Sequence, residues 1–219
     1  MNKRYCIFDM DGTLVDSTKY WHSLERDYLT GKGVSQDRID GILKITQPMT
    51  TLESAALFIK EFGFEGTPKS IAGEVNAMIE LHYRTDVCLK PGVPEYLEAL
   101  KAKGTRMCIA SATAKPLVTI CMERLDIAKY FEFILSCEEV GSGKDKPDVF
   151  LEAARRLGGT PEETAVFEDS LVAATSAKAA GFFTVGIYDE YAHHNWPAMV
   201  QVADLPVTDW QSLPEMHCD

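Results

Sequence analysis

The 219-residue sequence lacks an excess of basic residues, and this absence argues against one class of function. It contains 22 Lys and Arg against 33 Asp and Glu, which gives a formal net charge of -11 at pH 7. Because contacts to nucleic-acid phosphates require clustered Lys and Arg, we do not expect a nucleic-acid-binding protein. A small phosphorylated ligand remains compatible with this charge, since it needs only a local cation or a metal ion.

The sequence also lacks long apolar stretches and paired cysteines. No apolar run approaches the length of about 18 residues that a membrane-spanning helix needs. Residues 2–4 lead directly into the first apolar run rather than into a signal peptide. None of the six cysteines forms a C-x-x-C pair, and several lie in apolar segments, where cysteine acts as a small hydrophobic residue. We therefore expect a reduced cytoplasmic protein without a membrane partner, for which a monomer is the default.

Apolar runs alternate with amphipathic segments along most of the chain. The expected strands are residues 4–9, 106–110, 131–135, 165–168 and 182–187, with a weaker strand at Val200 to Ala203. Helices are expected between them at 93–103, 115–125 and 148–157, followed by an alanine-rich helix that ends at Ala180. Repeated strand–helix units predict a parallel sheet with helices on both faces, which is an α/β fold.

The segment that follows the first strand has a different pattern. From Ser17 to about Val87 its apolar residues recur at intervals of three and four, which is typical of amphipathic helices, and no strand is evident. This predicts a Rossmann-like core formed by residues 1–15 and 89–219, with an inserted all-helical cap domain at residues 16–88.

Polar residues follow the expected strands, and a parallel sheet would bring such strand ends together at one edge. These residues are Asp9, Asp11, Ser111, Lys144, Glu168 and Asp169. The first pair alone has an alternative reading, an acidic turn that caps the next helix, since turns favour Asp and Gly. However, two carboxylates this close repel each other unless a cation or a shared proton intervenes.

Together, these groups indicate a site for Mg²⁺ and an anion. Mg²⁺ prefers oxygen ligands and commonly shares them with a substrate phosphate. A carboxylate can attack phosphorus to give an aspartyl-phosphate, provided that the phosphoryl charge is neutralised and its oxygens are held. Lys144, Ser111, the metal and backbone N–H groups after Asp9 are expected to supply this stabilisation.

Four short motifs make the sequence resemble the haloacid dehalogenase superfamily, in the branch related to β-phosphoglucomutase and phosphoglycolate phosphatase. They are Asp9-Met10-Asp11-Gly12-Thr13, Ser111, residues 143–148 (GKDKPD) and residues 167–170 (FEDS). The resemblance extends from about residue 4 to residue 187. It includes the position of the helical insert, which matches the first type of cap in that family.

The resemblance implies a role for each residue of the site. Asp9 would be the nucleophile and a Mg²⁺ ligand, and Asp11 the general acid/base that also offers its backbone carbonyl to the metal. Asp169 would complete the protein ligands with Glu168 in support. Ser111, Ala112 and Lys144 would bind the substrate phosphate. A dehalogenase is disfavoured, because that metal-free branch lacks the second aspartate.

Three departures from the family pattern bear on these roles. Lys146 competes with Lys144 for the role of the motif lysine, although counting back from Pro147 favours Lys144. The glucose-phosphate mutases of the branch carry an arginine in a cap loop where this sequence has Gln36, and a neutral amide cannot form the bidentate, charge-assisted pair that arginine gives a phosphate.

A histidine of the first cap helix of those mutases aligns with Trp21, whereas His22 falls one place later, about 100° around the helix. The two departures in the cap, at Gln36 and at Trp21, favour a Mg²⁺-dependent phosphatase of a small phosphate monoester, such as a sugar phosphate. A β-phosphoglucomutase-like mutase is the alternative, followed by a non-catalytic binding protein on the same fold. Hinges for the cap are expected near residues 15–16 and 87–90.

Overall fold

The computed structural model describes residues 3–46 and 49–213, and it is built around one parallel sheet. The strands are β1 Tyr5–Phe8, β2 Arg106–Ser111, β3 Ile134–Ser136, β4 Thr164–Glu168, β5 Phe183–Ile187 and β6 Leu205–Val207. Their order is β3-β2-β1-β4-β5-β6, and every neighbouring pair is parallel. The predicted α/β fold is confirmed.

Helices cover both faces of this sheet and also form the segment between β1 and β2. They are α1 Thr18–Gly31, α2 Gln36–Thr46, α3 Thr51–Phe62, α4 Pro68–Thr85, α5 Val93–Ala102, α6 Lys115–Arg124, α7 Cys137–Val140, α8 Asp148–Leu157, α9 Leu171–Ala179 and α10 Trp196–Val202. Short 3₁₀ helices lie at Ala128–Tyr130, Pro161–Glu163, Glu190–Asn195 and Trp210–Ser212. Within the described residues, no helix is long and apolar enough to cross a bilayer.

The central strand β1 is apolar throughout because both of its faces are covered. Successive side chains of a strand point to opposite faces of the sheet. Accordingly, Cys6 and Phe8 belong to the apolar cluster under α5 and α6, whereas Tyr5 and Ile7 belong to the cluster under α8 and α9. A parallel strand buried on both faces is therefore a continuous apolar run in the sequence.

Helices α1 to α4, which we call the helical insert, enclose an apolar cluster of their own. Two of these helices begin with capping boxes, in which Thr50 pairs with Glu53 and Thr67 with Ser70. Each box satisfies backbone N–H groups that have no partner inside the helix. The cluster is formed by Tyr28, Leu29, Ile39, Ile42, Ala55, Phe58, Ile71, Ala72 and Val75. The domain limits at residues 16 and 88 remain a prediction.

The two connections between the insert and the sheet run side by side. The Asp16 N–H donates to the Cys88 carbonyl at 2.9 Å, and the Lys90 N–H donates to the Leu14 carbonyl at 2.9 Å. An isolated antiparallel bridge joins Val15 to Leu89 between them. The hinges expected near these positions would therefore belong to one paired ribbon.

Two strand predictions need correction. The strand expected at residues 131–135 is assigned only at Ile134–Ser136. The strand expected at Val200 to Ala203 is wrong, because these residues belong to α10 and its C-terminal end. Pro197 lies in the first turn of this helix, where its missing N–H costs no hydrogen bond. The helix packs closely on Gly186 of β5, where an added Cβ would lie 2.7 Å from Met199 Cγ.

Candidate active site

The carboxyl ends of β1, β2 and β4 place most of the predicted site residues at one edge of the sheet. Ser111 is the last residue of β2 and Glu168 the last residue of β4. Asp9 directly follows β1, which lies between these two strands, and its N–H donates to the Phe167 carbonyl at 3.0 Å. Asp9, Ser111 and Glu168 therefore meet because neighbouring parallel strands end together.

Lys144 reaches the same edge from a loop rather than from a strand end. It lies between α7 and α8, and its carbonyl accepts a hydrogen bond from Ser176 Oγ of α9 at 2.7 Å. Its ammonium contacts Asp9 Oδ1 and Glu168 Oε1, each at 2.5 Å. Lys146, the alternative of the sequence analysis, is exposed. The structure thus brings Lys144 to the two carboxylates.

Burial and the neighbouring charges shift the pKa values of this group. Burial raises the pKa of Asp9 to about 7, against the attraction of Lys144 and with further contributions from Glu168 and Asp11. Burial also disfavours the ammonium of Lys144, but the attraction of Asp9 and Glu168 is stronger and raises its pKa. Lys144 therefore stays positively charged beside the predicted nucleophile.

Three carboxylates are close enough to share one cation. Carboxylate oxygens of Asp9, Glu168 and Asp169 all lie within 4.8 Å of one another. Burial, followed by repulsion from Asp9 and Glu168, raises the pKa of Asp169, which disfavours its ionised form unless a cation balances the charge. Because all donors are oxygens, the set fits a hard cation such as Mg²⁺.

Gly12 allows the turn after β1 to approach this cluster. Its φ is +76°, in the left-handed region that favours glycine, and an added Cβ would lie 2.3 Å from Asp169 Oδ2. The hydroxyl of the next residue, Thr13, donates to Asp169 Oδ1 at 3.2 Å. The glycine of the first motif thus leaves space for the aspartate of the fourth.

The side chain of Asp11 lies outside the three-carboxylate cluster and is held by three hydroxyl groups. Its Oδ1 accepts from Ser17 Oγ at 2.6 Å and from the Tyr83 hydroxyl at 2.5 Å, and its Oδ2 accepts from Thr113 Oγ1 at 2.8 Å. The Tyr83 oxygen in turn accepts from Trp21 Nε1 at 3.0 Å. These three hydroxyl groups fix the orientation of the Asp11 side chain.

Tyr83 and Thr113 are site residues that sequence reasoning missed. Tyr83 belongs to the periodic apolar face of α4, a pattern that is typical of helix packing. Thr113 follows Ser111 by two residues, and its N–H donates to Ser111 Oγ at 3.0 Å. A second hydroxyl just beyond a strand end was the available signal for Thr113. No sequence signal distinguished Tyr83 from a core aromatic.

A cavity of about 170 Å³ lies between the sheet edge and the helical insert. Its sheet side includes the carboxylate cluster, Lys144, Ser111 and Ala112. Its insert side is lined by Trp21, His22, Glu25, Leu43, Thr46, Met49 and Thr51. The predicted phosphate-binding residues and the first helix of the insert thus face the same space.

Gln36, the residue at the position of the mutase arginine, is not among the residues that line this cavity. Its Oε1 accepts from Arg26 Nη1 at 2.9 Å, and its Nε2 contacts Thr30 Oγ1 at 3.3 Å. These contacts hold the amide on the surface of the insert.

Comparison with known proteins places this site in a family. A model of haloacid dehalogenase-like hydrolases matches residues 3–181, which is most of the chain. The chain belongs to the haloacid dehalogenase-like hydrolase family. The resemblance suggested by the four motifs is thereby confirmed, and the chain is a member of an enzyme family.

Several relatives in this family have similar lengths. A phosphorylated carbohydrates phosphatase from Thermotoga maritima is 32% identical over 180 residues, covering 80% of each chain. A phosphoglycolate phosphatase from Salmonella typhi is 38% identical over 206 residues, covering 85% of this chain and 81% of the relative. A β-phosphoglucomutase from Mycobacterium tuberculosis is 31% identical over 238 residues, covering 96% and 91%.

Solved structures share the haloacid dehalogenase-like fold. CbbY from Rhodobacter sphaeroides in complex with phosphate has a TM-score of 0.80 at 22% identity, with 96% of both chains covered. At that identity the similarity concerns the fold alone.

Proposed function

We propose that this haloacid dehalogenase-like hydrolase is a Mg²⁺-dependent phosphatase that hydrolyses a small phosphate monoester through an aspartyl-phosphate on Asp9. The observation that carries the proposal is the contact of Asp9 with Lys144 beside Glu168 and Asp169. The phosphatase names of two relatives support it. We further propose that the protein acts as a cytoplasmic monomer.

The first half-reaction transfers the phosphoryl group to the protein. Lys144 and the Ser111 hydroxyl bind phosphoryl oxygens while an Asp9 oxygen attacks phosphorus and the bond to the leaving-group oxygen breaks. Asp11 gives a proton to that oxygen, so the substrate departs as an alcohol. Mg²⁺, held by Asp9 and Asp169 with support from Glu168, would neutralise phosphate charge and fix the phosphoryl oxygens when bound.

The second half-reaction restores Asp9. Asp11, now ionised, takes a proton from a water molecule that attacks the phosphorus of the aspartyl-phosphate. The bond between phosphorus and the Asp9 oxygen breaks, and inorganic phosphate leaves. We propose that the helical insert acts as a cap that covers the cavity during transfer and opens at the paired ribbon of residues 15–16 and 87–90.

The proposal is tested by Asp9→Asn, which replaces the nucleophilic carboxylate with an amide of the same shape. We expect loss of phosphate release from p-nitrophenyl phosphate in the presence of Mg²⁺, with an unchanged circular-dichroism spectrum. Asp27→Asn removes the same charge from an exposed position on α1 and serves as the matched control. Unchanged phosphate release by Asp9→Asn would refute the aspartyl-phosphate mechanism.

A phosphosugar mutase is the second candidate, favoured by the relative named β-phosphoglucomutase. Product analysis separates the two activities: β-glucose 1-phosphate is supplied with a trace of β-glucose 1,6-bisphosphate, and both glucose 6-phosphate and free phosphate are measured. The phosphatase proposal predicts free phosphate. The surface position of Gln36, bound to Arg26, supports this choice, because an amide there offers no cation to a second phosphate.

A further inference from the structure

The first helix of the insert places one carboxylate in the wall of the active-site cavity. Glu25 of α1 lies in that wall, and Thr46 Oγ1 of α2 contacts its Oε2 at a long distance of 3.4 Å. Burial raises the pKa of Glu25 to about 7, which the contact with Thr46 offsets only in part. Glu25 thus has unused acceptor capacity beside the space that a leaving group would occupy.

Little positive charge accompanies Glu25 in the described part of the cavity. The lining residues that can carry it are Lys144 and His22. Lys144 is already bound by Asp9 and Glu168. His22 is exposed on one side, and its partial burial lowers its pKa, which favours its neutral form. A second anionic group on the substrate would therefore meet the Glu25 carboxylate without a free cation to balance it.

We infer that Glu25 selects the leaving group: the substrate carries hydroxyl or ammonium groups that donate to Glu25, and it carries no second phosphate or carboxylate. This inference rests on the proposed phosphatase function and names its substrate class. An ionised carboxylate is an acceptor only, so sugar hydroxyls and ammonium groups satisfy it. A buried anion placed next to it would lose its hydration and gain repulsion.

The inference separates this chain from two of the activities named for its relatives. Phosphoglycolate carries a carboxylate beside its phosphate, and the bisphosphate intermediate of a glucose-phosphate mutase carries a second phosphate. Both would bring negative charge to Glu25. A neutral or amino sugar monophosphate would instead bring donors.

The test compares pairs of phosphate monoesters that differ in the charge of the leaving group. Glucose 6-phosphate and glucosamine 6-phosphate are compared with 6-phosphogluconate, and glycerol 3-phosphate with 3-phosphoglycerate, at pH 8 with Mg²⁺. We expect wild-type kcat/KM to be at least about ten-fold higher for the uncharged or amino member. In Glu25→Gln this ratio falls about five-fold or more, mainly through KM.

Asp27→Asn, which removes a charge from an exposed position of the same helix, is expected to leave the ratio unchanged. Thermal unfolding of each variant separates lost selectivity from lost folding, and Glu25→Asp retains the charge if the amide folds poorly. If the wild type hydrolyses p-nitrophenyl phosphate, three results would overturn the inference. They are equal or preferred use of the carboxylate esters, no use of any of the five esters, and an unchanged ratio in Glu25→Gln. Absence of p-nitrophenyl phosphate hydrolysis in the wild type would overturn the proposed phosphatase function as well.

Discussion

Replacing Lys144 with methionine is expected to destabilise the protein and to abolish its activity. The ammonium is shared by Asp9 and Glu168 at 2.5 Å each, and these side chains are only 8% and 1% exposed. Removing one partner of a buried ion pair typically costs about 3–5 kcal/mol, because the remaining charge is uncompensated. For a chain of this size, such a loss lowers Tm by about 6–20 °C.

The loss should depend on pH in a defined direction. The pKa of Asp9 is already raised to about 7 with Lys144 present, and removing the ammonium raises it further. A carboxylate whose pKa is raised by folding favours the folded state below its unfolded pKa, and this contribution disappears as pH rises through the folded pKa. Lys144→Met should therefore lose more stability at pH 8 than at pH 5.

Urea unfolding with EDTA at both pH values measures this loss, and phosphate release from p-nitrophenyl phosphate with Mg²⁺ measures activity. Lys146→Met is the matched control, because Lys146 is exposed and lies two residues away. A surface substitution of this kind is expected to change the free energy of unfolding by no more than about 0.5 kcal/mol. Equal effects of the two variants, or a loss below about 1 kcal/mol for Lys144→Met at pH 8, would refute the assignment of Lys144.

Three further predictions concern other polar groups in and around the site. Tyr83→Phe removes one donor to Asp11 and the acceptor of Trp21 Nε1. We therefore expect the free energy of unfolding, measured in urea, to fall by about 2 kcal/mol, and kcat to change more than KM. Wild-type stability and wild-type kcat in this variant would contradict the prediction. Glu25→Gln should raise the free energy of unfolding at pH 8 by about 3 kcal/mol, because the ionised form of a carboxyl with a pKa raised from 4.5 to about 7 is disfavoured by folding. That gain should shrink at pH 5 in thermal unfolding, and a gain equal at both pH values would argue against burial as its cause. EDTA should abolish phosphate release, and added Mg²⁺ should restore it. Asp169→Asn should need a higher Mg²⁺ concentration for the same phosphate release. Activity that survives dialysis against EDTA would exclude a metal requirement.

The sheet and the positions of its polar strand ends could be predicted because both depend on short, local sequence patterns. A parallel strand covered on both faces is a continuous apolar run, as in β1, and the residues that follow it lie at the carboxyl edge. Asp9, Ser111 and Glu168 could therefore be assigned to one edge without knowledge of the strand order. The roles carried over from the family remain predictions for each of these residues.

The residues that the insert contributes could not be predicted in the same way. Tyr83 and Glu25 lie on amphipathic helices, and whether such a side chain joins a core or a cavity depends on how the helix docks on its neighbours. His22 shows the same limit, since it lines the cavity one residue after the position favoured by the family alignment. The error at Val200 to Ala203 also has a tertiary origin, because the packing of Met199 on Gly186 belongs to a helix rather than a strand.

Tyr83 and Glu25 together give the insert two connections to the proposed chemistry. Glu25 lies in the insert side of the cavity wall, whereas the Tyr83 hydroxyl donates to Asp11, the proposed acid/base. Ser17, at the start of α1, donates to the same carboxylate oxygen. A movement of the insert that separates Tyr83 from Asp11 would therefore release the acid/base side chain as well as open the cavity. Because α1 and α4 pack against each other, we expect a movement of the insert to affect both the proposed substrate selection and the proposed proton transfer.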